Sequence, residues 1–166
     1  MSIIVPVLDD NAALQLLLND LKIQKGIRLE VIVVDGSSAE TANALCREAG
    51  KSLNHPLVYL PGHAGRGRQM NRGAAAAGGY DLLFLHADTR LPDDSLLARG
   101  LQYFHTKRQN AGITNVAAHF PLCFERNDNG QSQGYYFYES KTRLNRPDCV
   151  RGDQGIMLCR DFFALL

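Results

Sequence analysis

The feature that most constrains the fold is a short apolar run, Leu82–Leu85, which polar residues follow at once. Four apolar residues without alternation are typical of a strand covered on both faces, as in a parallel sheet flanked by helices. The run leads into His86-Ala87-Asp88. In open α/β sheets, ligands collect outside the carboxyl ends of strands. We therefore predict that Asp88 lies in a ligand-binding crevice.

The chain up to Pro92 alternates between strand-like and helix-like segments. Apolar runs predict strands at Ser2–Leu8, Leu29–Val34, Pro56–Leu60 and Asp81–His86. Helical spacing and Gly punctuation predict a helix that ends near Lys25, a helix at Ala39–Ala49 and a helix within Gly65–Gly78. This β-α-β-α-β-α-β order predicts an α/β fold with a doubly wound, mostly parallel sheet flanked by helices.

The pattern changes after Pro92, which we expect to open a helix. The predicted elements are a helix at Asp93–Phe104, a loop at Thr106–Asn110, a strand at Thr114–Glu125, a turn at Asn127–Gln133, a helix at Tyr135–Asn145, a strand at Ile156–Cys159 and the start of a helix at Arg160–Leu166. The chain stops at Leu165-Leu166, an apolar end without a closing signal. We expect that the fold continues beyond this point, and the apolar end hints at a homodimer.

Length and composition exclude several classes of protein. The 166 residues, 45% of them hydrophobic, suit one soluble domain with a sizeable core. A net charge of +1 gives no reason to expect nucleic acid or an anionic membrane as a partner. No apolar run has membrane-spanning length and no signal peptide is visible, so a cytoplasmic location is expected. The cysteines form no CxxC pair, which favours reduced thiols: Cys46, Cys123, Cys149 and Cys159.

The residues around the central strand could bind a metal-bound phosphate. Asp88 could hold a divalent cation or could cap the helix predicted after Pro92, and since Thr89 or Asp93 could do the capping, we favour the cation. Gly65 would let the backbone approach a ligand, while Arg66 and Arg68 could hold oxyanions.

Three further polar positions have two interpretations each. Asp35, at the end of the second strand, could bind a nucleobase or ribose, or cap the following helix. Asp153 could be a general base or a ligand of a sugar hydroxyl, or a turn carboxylate. His86 could be a second metal ligand or could only line the pocket. We interpret Arg72 as part of a solvated basic face.

Five segments in order along nearly the whole chain resemble the family 2 glycosyltransferases of GT-A fold. The resemblance is closest to the small bacterial subgroup of arsenosugar-biosynthesis-like glycosyltransferases. The segments are Ile3-Ile4-Val5-Pro6-Val7-Leu8-Asp9, Glu30-Val31-Ile32-Val33-Val34-Asp35-Gly36-Ser37-Ser38, Gly65-Arg66-Gly67-Arg68-Gln69-Met70-Asn71, Phe84-Leu85-His86-Ala87-Asp88-Thr89 and Gly152-Asp153-Gln154-Gly155.

The resemblance implies a nucleotide-diphospho-sugar donor, an unknown acceptor hydroxyl, a Mg²⁺ or Mn²⁺ ion and inversion of configuration. Residues 1–92 would form the nucleotide-binding half of a single domain, and residues 93–166 an incomplete acceptor-side half. Pro6 and Asp9 would line the nucleotide pocket and Asp35 would hold the base. The residues bordering the ribose, diphosphate and sugar would be Gly65, Arg66, Arg68, Gln69, His86 and Ala87. Asp88 would be the last acid of the family's DxD metal motif.

Two departures from the family pattern affect the chemistry. His86-Ala87-Asp88 lacks the first acid of DxD, which lowers the expected metal affinity. The family's base comes from a later Glu-Asp motif that this chain does not reach, so Asp153 is the nearby candidate. We favour a truncated form over Asp153 as the true base. A nucleotide-sugar-binding module without turnover is therefore the main alternative.

Two other enzyme classes fit less well. A haloacid-dehalogenase-like phosphatase needs an aspartate nucleophile where this chain has His86. A nucleotidyltransferase usually places its glycine-arginine loop directly after the first strand, where this chain has Asp9-Asp10-Asn11.

Overall fold

The computed structural model describes residues 1–125, 133–144, 146–150 and 152–166. The strands are β1 (Ser2–Val7), β2 (Glu30–Asp35), β3 (Leu57–Pro61), β4 (Asp81–Phe84), β5 (Ala117–His119) and β6 (Ile156–Cys159). The helices are α1 (Asn11–Lys22), α2 (Ala42–Gly50), α3 (Arg66–Ala76), α4 (Leu96–Ala111), α5 (Gln133–Thr142) and α6 (Arg160–Phe163). Short 3₁₀ turns lie at Pro147–Cys149 and Gly152–Gln154.

The described strands form one sheet in the order β3-β2-β1-β4-β6-β5. The first four strands in this order run parallel, whereas β6 runs antiparallel to both β4 and β5. The predicted α/β class with a doubly wound, mostly parallel sheet is therefore confirmed. Because β1, β2 and β4 run in the same direction, their carboxyl ends lie at one edge of the sheet.

Each strand near the centre of the sheet sends alternate side chains into two cores. Ile3 and Val5 of β1 pack with α1, α2 and α4 on one face. Ile4 of the same strand packs on the other face, with residues of α3 and α6. All three side chains are fully buried, as the uninterrupted apolar runs predict.

The loop predicted at Thr106–Asn110 is wrong, because these residues continue α4 to Ala111. Their polarity reflects an outer helix face, while Phe104 on the same helix is buried. The Thr106 hydroxyl donates to Gln102 O at 2.9 Å, one turn earlier. The helix ends where Gly112 adopts the left-handed conformation, with φ of 62°.

The strand predicted at Thr114–Glu125 is much shorter, since only Ala117–His119 pairs with β6. Side chains of α5 replace the strand ladder beyond this point. Leu122 N donates to Thr142 Oγ1 at 3.0 Å, and Phe124 N donates to Glu139 Oε1 at 2.9 Å. The apolar residues of this segment thus follow an irregular path.

Two helices begin later than the sequence indicates. Glu40 has a φ of 46°, which a helix does not accommodate, so α2 begins at Ala42 instead of Ala39. Helix α4 begins at Leu96 instead of Asp93, because Asp93 accepts a hydrogen bond from Ser95 N in a local turn. The turn predicted at Asn127–Gln133 lies outside the described residues, except that α5 begins at Gln133.

Close contact between α3 and the sheet depends on Gly73. A methyl group at this position would overlap Ile4 Cγ2 and would come 3.2 Å from Val34 Cγ2. By contrast, a methyl group at Gly67, on the same helix, would contact nothing within 4 Å. Alanine substitution at Gly73 therefore tests packing against the sheet, whereas alanine substitution at Gly67 tests helix propensity alone.

We expect Gly73→Ala to lower the free energy of unfolding by about 1–3 kcal/mol, because two β-branched side chains of the sheet must move. The matched control Gly67→Ala should raise it by about 0.5–1 kcal/mol, since alanine restricts the unfolded chain more. Urea titration followed by circular dichroism measures both changes. A Gly73→Ala protein as stable as the parent would contradict the packing described for α3.

Candidate functional site

A cleft of about 350 Å³ lies at the carboxyl edge of β1 and β4, beside the start of α3. Its lining residues are Pro6, Val7, Leu8, Asp10, Gly65, Arg66, Gln69, His86, Ala87 and Asp88. Seven of them were predicted from the sequence as binding or metal residues. Val7, Leu8 and Asp10 were not, although their place at the end of an apolar strand or just after it is a usable signal. A smaller groove of about 130 Å³ between α1 and α2 contains none of the predicted residues.

Asp35 lies at the end of β2 but faces the protein interior. It is fully buried, and its carboxylate accepts hydrogen bonds from Ser37 N at 2.9 Å, Ala42 N at 3.0 Å and the Tyr59 hydroxyl at 3.2 Å. Burial alone would raise the pKa of Asp35, but these hydrogen bonds outweigh burial and lower it. The carboxylate thus fixes the start of α2, and its role in binding a base stays a prediction.

Gln69 connects α3 to the ends of two strands. Its side chain is buried, and Nε2 donates to Val7 O at 2.7 Å and to Val34 O at 2.8 Å. These carbonyls lie at or next to the ends of β1 and β2, and Val7 O also accepts from Gly36 N at 2.9 Å. Gln69 borders the cleft as predicted, and in the protein alone its amide holds the cleft wall together.

The residues after β1 form a tight turn. Asp9 has a φ of 52°, and its backbone N–H donates to Ser37 Oγ at 2.9 Å, which ties the ends of β1 and β2 together. Its side chain is exposed outside the cleft lining. The next residue, Asp10, lines the cleft and caps α1 by accepting from Ala13 N at 3.1 Å.

The start of α3 brings positive charge to the cleft. Gly65 has a φ of 134°, which favours glycine, and no side chain caps the helix. The first N–H groups of a helix lack intrahelical partners and attract anions. Arg66 lines the cleft with an exposed guanidinium, whereas Arg68 is exposed outside the lining.

His86 is a buried imidazole beside an exposed carboxylate. Its Nδ1 lies 3.0 Å from Asp153 Oδ1, and because an ionised carboxylate only accepts, Nδ1 carries the proton. Burial and the charge of Arg66 lower the pKa of His86, against the opposing effect of Asp153 and Asp88. Its other nitrogen, Nε2, is buried and has no hydrogen-bond partner in the part of the chain that the structure describes.

Asp153 lies beside the cleft, where its carboxylate contacts both His86 and Arg66. Its carboxylate is 62% exposed, and Arg66 approaches the same oxygen at 3.9 Å. The adjacent Gln154 is buried and anchors this segment, because its amide donates to Phe120 O at 3.2 Å and Thr142 O at 3.3 Å. The structure thus places the predicted base next to the predicted diphosphate-binding arginine.

The donor set of the cleft suits a cation shared with a phosphate ligand. Asp88 is exposed, and its carboxylate makes no hydrogen bond or ion pair with the described residues. No group of three or more metal-ligating side chains occurs in that part of the chain. Mg²⁺-type ions commonly use one or two carboxylates and take their other ligands from water and phosphates. The donor set of the cleft is compatible with such an ion, and Asp88 is the carboxylate that could hold it.

A family model described as Glycosyl transferase family 2 matches residues 2–164. No curated protein matches the chain significantly. No helix within the described ranges combines the length and the apolar character needed to cross a membrane.

Several solved structures have a similar fold. A mannosyltransferase from Pyrobaculum calidifontis, PcManGT, in complex with GDP-Man and Mn²⁺, is 22% identical with a TM-score of 0.69, over 99% of this chain and 45% of that one. S. aureus TarS 1-349 in complex with UDP-GlcNAc is 23% identical with a TM-score of 0.59, over 80% of this chain and 36% of that one. A 4-diphosphocytidyl-2C-methyl-D-erythritol synthase from Anaerococcus prevotii is 11% identical with a TM-score of 0.61, over 99% and 73%. The alignments with PcManGT and this TarS structure span less than half of those proteins.

The buried carboxylate of Asp35 should make the free energy of unfolding depend on pH. Because its folded pKa lies below the ordinary value, its contribution to stability is present above the unfolded pKa of about 4 and is lost as the pH falls through the folded pKa. We expect Asp35→Asn to lower the free energy of unfolding at pH 7 by about 1–3 kcal/mol. The difference from the parent should shrink below pH ~4.

Urea titrations at several pH values measure this difference. The control is Glu48→Gln, which changes an exposed carboxylate paired with Lys51 and should alter stability by less than about 0.5 kcal/mol at any pH. A destabilisation by Asp35→Asn that stays constant from pH 7 to pH 3 would be inconsistent with the described hydrogen bonds.

Proposed function

We propose, since this chain belongs to glycosyl transferase family 2, that it transfers a sugar from a nucleotide-diphospho-sugar donor to an acceptor hydroxyl. The observation that carries the proposal is the cleft itself. It is lined both by the Asp88 carboxylate, which has no hydrogen bond or ion pair within the described residues, and by the exposed guanidinium of Arg66 at the start of α3. That combination suits a cation-bound diphosphate.

The protein would bind the donor through the first residues of α3 and the end of β1. Arg66 and the free N–H groups of α3 attract the negative diphosphate. The cleft volume of about 350 Å³ falls within the usual range for small-molecule sites. Pro6 would line the nucleotide pocket, and Gly65, which has no side chain, would let the nucleotide approach the backbone closely.

Asp88 would hold a Mg²⁺ or Mn²⁺ ion in this complex. The ion, when bound, supplies positive charge that stabilises the departing diphosphate. The chain contributes a carboxylate that is fixed at a strand end and uncommitted within the described residues. This arrangement leaves room for oxygens of the donor in the coordination sphere.

Asp153 would accept the proton of the acceptor hydroxyl. The hydroxyl oxygen forms a bond to the anomeric carbon as the bond from that carbon to the diphosphate oxygen breaks, and the proton passes to the Asp153 carboxylate. Donation from His86 Nδ1 at 3.0 Å orients this carboxylate. Attack opposite the leaving group would invert the anomeric configuration.

The proposal extends to the subgroup of the family and to the nucleotide of the donor. Membership of the arsenosugar-biosynthesis-like subgroup rests on the sequence resemblance. The donors named for the similar structures, GDP-Man and UDP-GlcNAc, support UDP and GDP as first probes. The alternative is a module that binds nucleotide-sugars without turnover.

We expect calorimetric titration with UDP, GDP and dTDP to give binding of one of them that Mn²⁺ strengthens at least ten-fold. Asp88→Ala should remove the metal dependence while leaving the thermal transition unchanged, because its carboxylate is exposed. Equal affinity with and without Mn²⁺ in the parent would exclude Asp88 as a metal ligand. The absence of binding by folded protein would reject the proposed donor site.

We also expect Asp153→Asn to slow release of nucleoside diphosphate from the matching sugar donor by about 10²–10⁴-fold, the usual contribution of a general base. Donor affinity should stay within two-fold. The matched control is Asp148→Asn, which removes a carboxylate of similar exposure, 66% against 62%, near Asp153 in the sequence. Unchanged turnover in Asp153→Asn would remove Asp153 from the base role, and binding without turnover in the parent would favour the alternative.

A further inference from the structure

The loop that carries Asp88 is tied to α1 by a nearly buried carboxylate, Asp20. Arg90 Nε and Nη2 donate to its two oxygens at 2.7 and 3.1 Å, and Leu91 N donates to Oδ2 at 3.0 Å. Asp20 is 8% exposed. Two parallel hydrogen bonds from a guanidinium fix geometry more closely than a single contact. This clamp, formed by Asp20, Arg90 and Leu91, begins two residues after Asp88.

The other side of the loop is fixed by the sheet. Leu85 N donates to Ile4 O at 3.0 Å, which continues the pairing of β4 with β1. Thr89 N donates to His86 O at 3.1 Å and closes a turn that contains Asp88. Asp88 therefore lies between a strand end and a side-chain clamp, each within about three residues.

The clamp extends along the last turn of α1 and the residues that follow. Gln24 Nε2 donates to Asp93 O at 2.8 Å, and Lys25 N donates to Asp94 O at 2.7 Å. The chain from Arg90 to Asp94 is thus held against α1 by both backbone and side-chain contacts. No residue in this set lines the cleft.

The Asp88 carboxylate itself has no hydrogen bond or ion pair with the described residues. Its position therefore depends on the backbone of its loop alone. A carboxylate whose backbone is already ordered loses less conformational entropy when it binds a ligand. Any contact that orders this loop in advance should favour cation binding.

We propose that Asp20 is a positioning residue for Asp88, and that it acts through Arg90 and Leu91 to hold the strand-end loop ready for a cation-bound diphosphate. The inference rests on the proposed function, because it takes Asp88 as the metal ligand. A purely structural role for Asp20 would change stability without changing the metal dependence of nucleotide binding.

The test compares three variants by calorimetry, with the nucleoside diphosphate that binds the parent, with and without Mn²⁺. Asp20→Asn keeps the side-chain size but removes the charge that accepts from Arg90. We expect it to reduce the Mn²⁺ enhancement of affinity at least five-fold, while affinity without metal stays within two-fold. Arg90→Lys keeps the positive charge but loses the paired hydrogen bonds, and should give a smaller loss of the same kind. If Asp20→Asn fails to fold, Arg90→Lys still tests the positioning role.

The matched control is Glu30→Gln. Glu30 accepts from Gly78 N at 2.6 Å and Gly79 N at 2.7 Å, and so anchors a loop at the opposite edge of the sheet. This variant should be destabilised in urea titrations but should keep the full Mn²⁺ enhancement.

The outcomes separate the inference from the proposed function. If Asp88→Ala loses the enhancement while Asp20→Asn and Arg90→Lys keep it, the positioning role is wrong and the metal site stands. If Glu30→Gln loses as much enhancement as Asp20→Asn, general destabilisation explains the effect and the inference is overturned. If the parent binds nucleotide with no Mn²⁺ enhancement, the metal ligand and its positioning residue fail together.

Discussion

The parallel pairing of β1 with both β2 and β4 is the constraint on which the rest of the structure depends. It brings the residues that follow three separate strands to one edge of the sheet, although they are far apart in sequence. Carbonyls at or next to the ends of β1 and β2 accept hydrogen bonds from the Gln69 amide of α3, and Val7 O accepts a second one from Gly36 N. The cleft lies between the ends of β1 and β4 and the first turn of α3.

Carboxylates in this protein serve two distinct purposes. Asp20, Asp35 and Glu30 accept backbone N–H groups and fix loops, with little or no solvent contact at the first two. Asp88 follows the end of β4 and Asp153 precedes β6, and both remain exposed. A buried carboxylate that accepts several N–H groups stays ionised as a structural anchor, whereas an exposed one is available to a ligand. The candidate chemistry therefore lies with the carboxylates that the fold does not use.

Much of the fold was predictable because uninterrupted apolar runs mark buried strands, and the strand-end position of Asp88 followed from such a run, whereas Arg66 was singled out from the glycine- and arginine-rich turn that contains it. The sequence could not decide between the two roles of Asp35, since both need a carboxylate at a strand end. The contact of Asp20 with Arg90 joins residues 70 positions apart, and no local pattern indicates it. The polar stretch Thr106–Asn110 was misread because an exposed helix face and a loop have similar compositions.

The imidazole of His86 also has a consequence for how this site could change over time. Its Nδ1 lies 3.0 Å from the Asp153 carboxylate, so an acid at position 86 would face a second acid at close range. Two carboxylates so placed cannot both stay ionised near neutral pH. The residues at 86 and 153 are therefore coupled: a chain with an acid at the strand end would need a different partner at position 153.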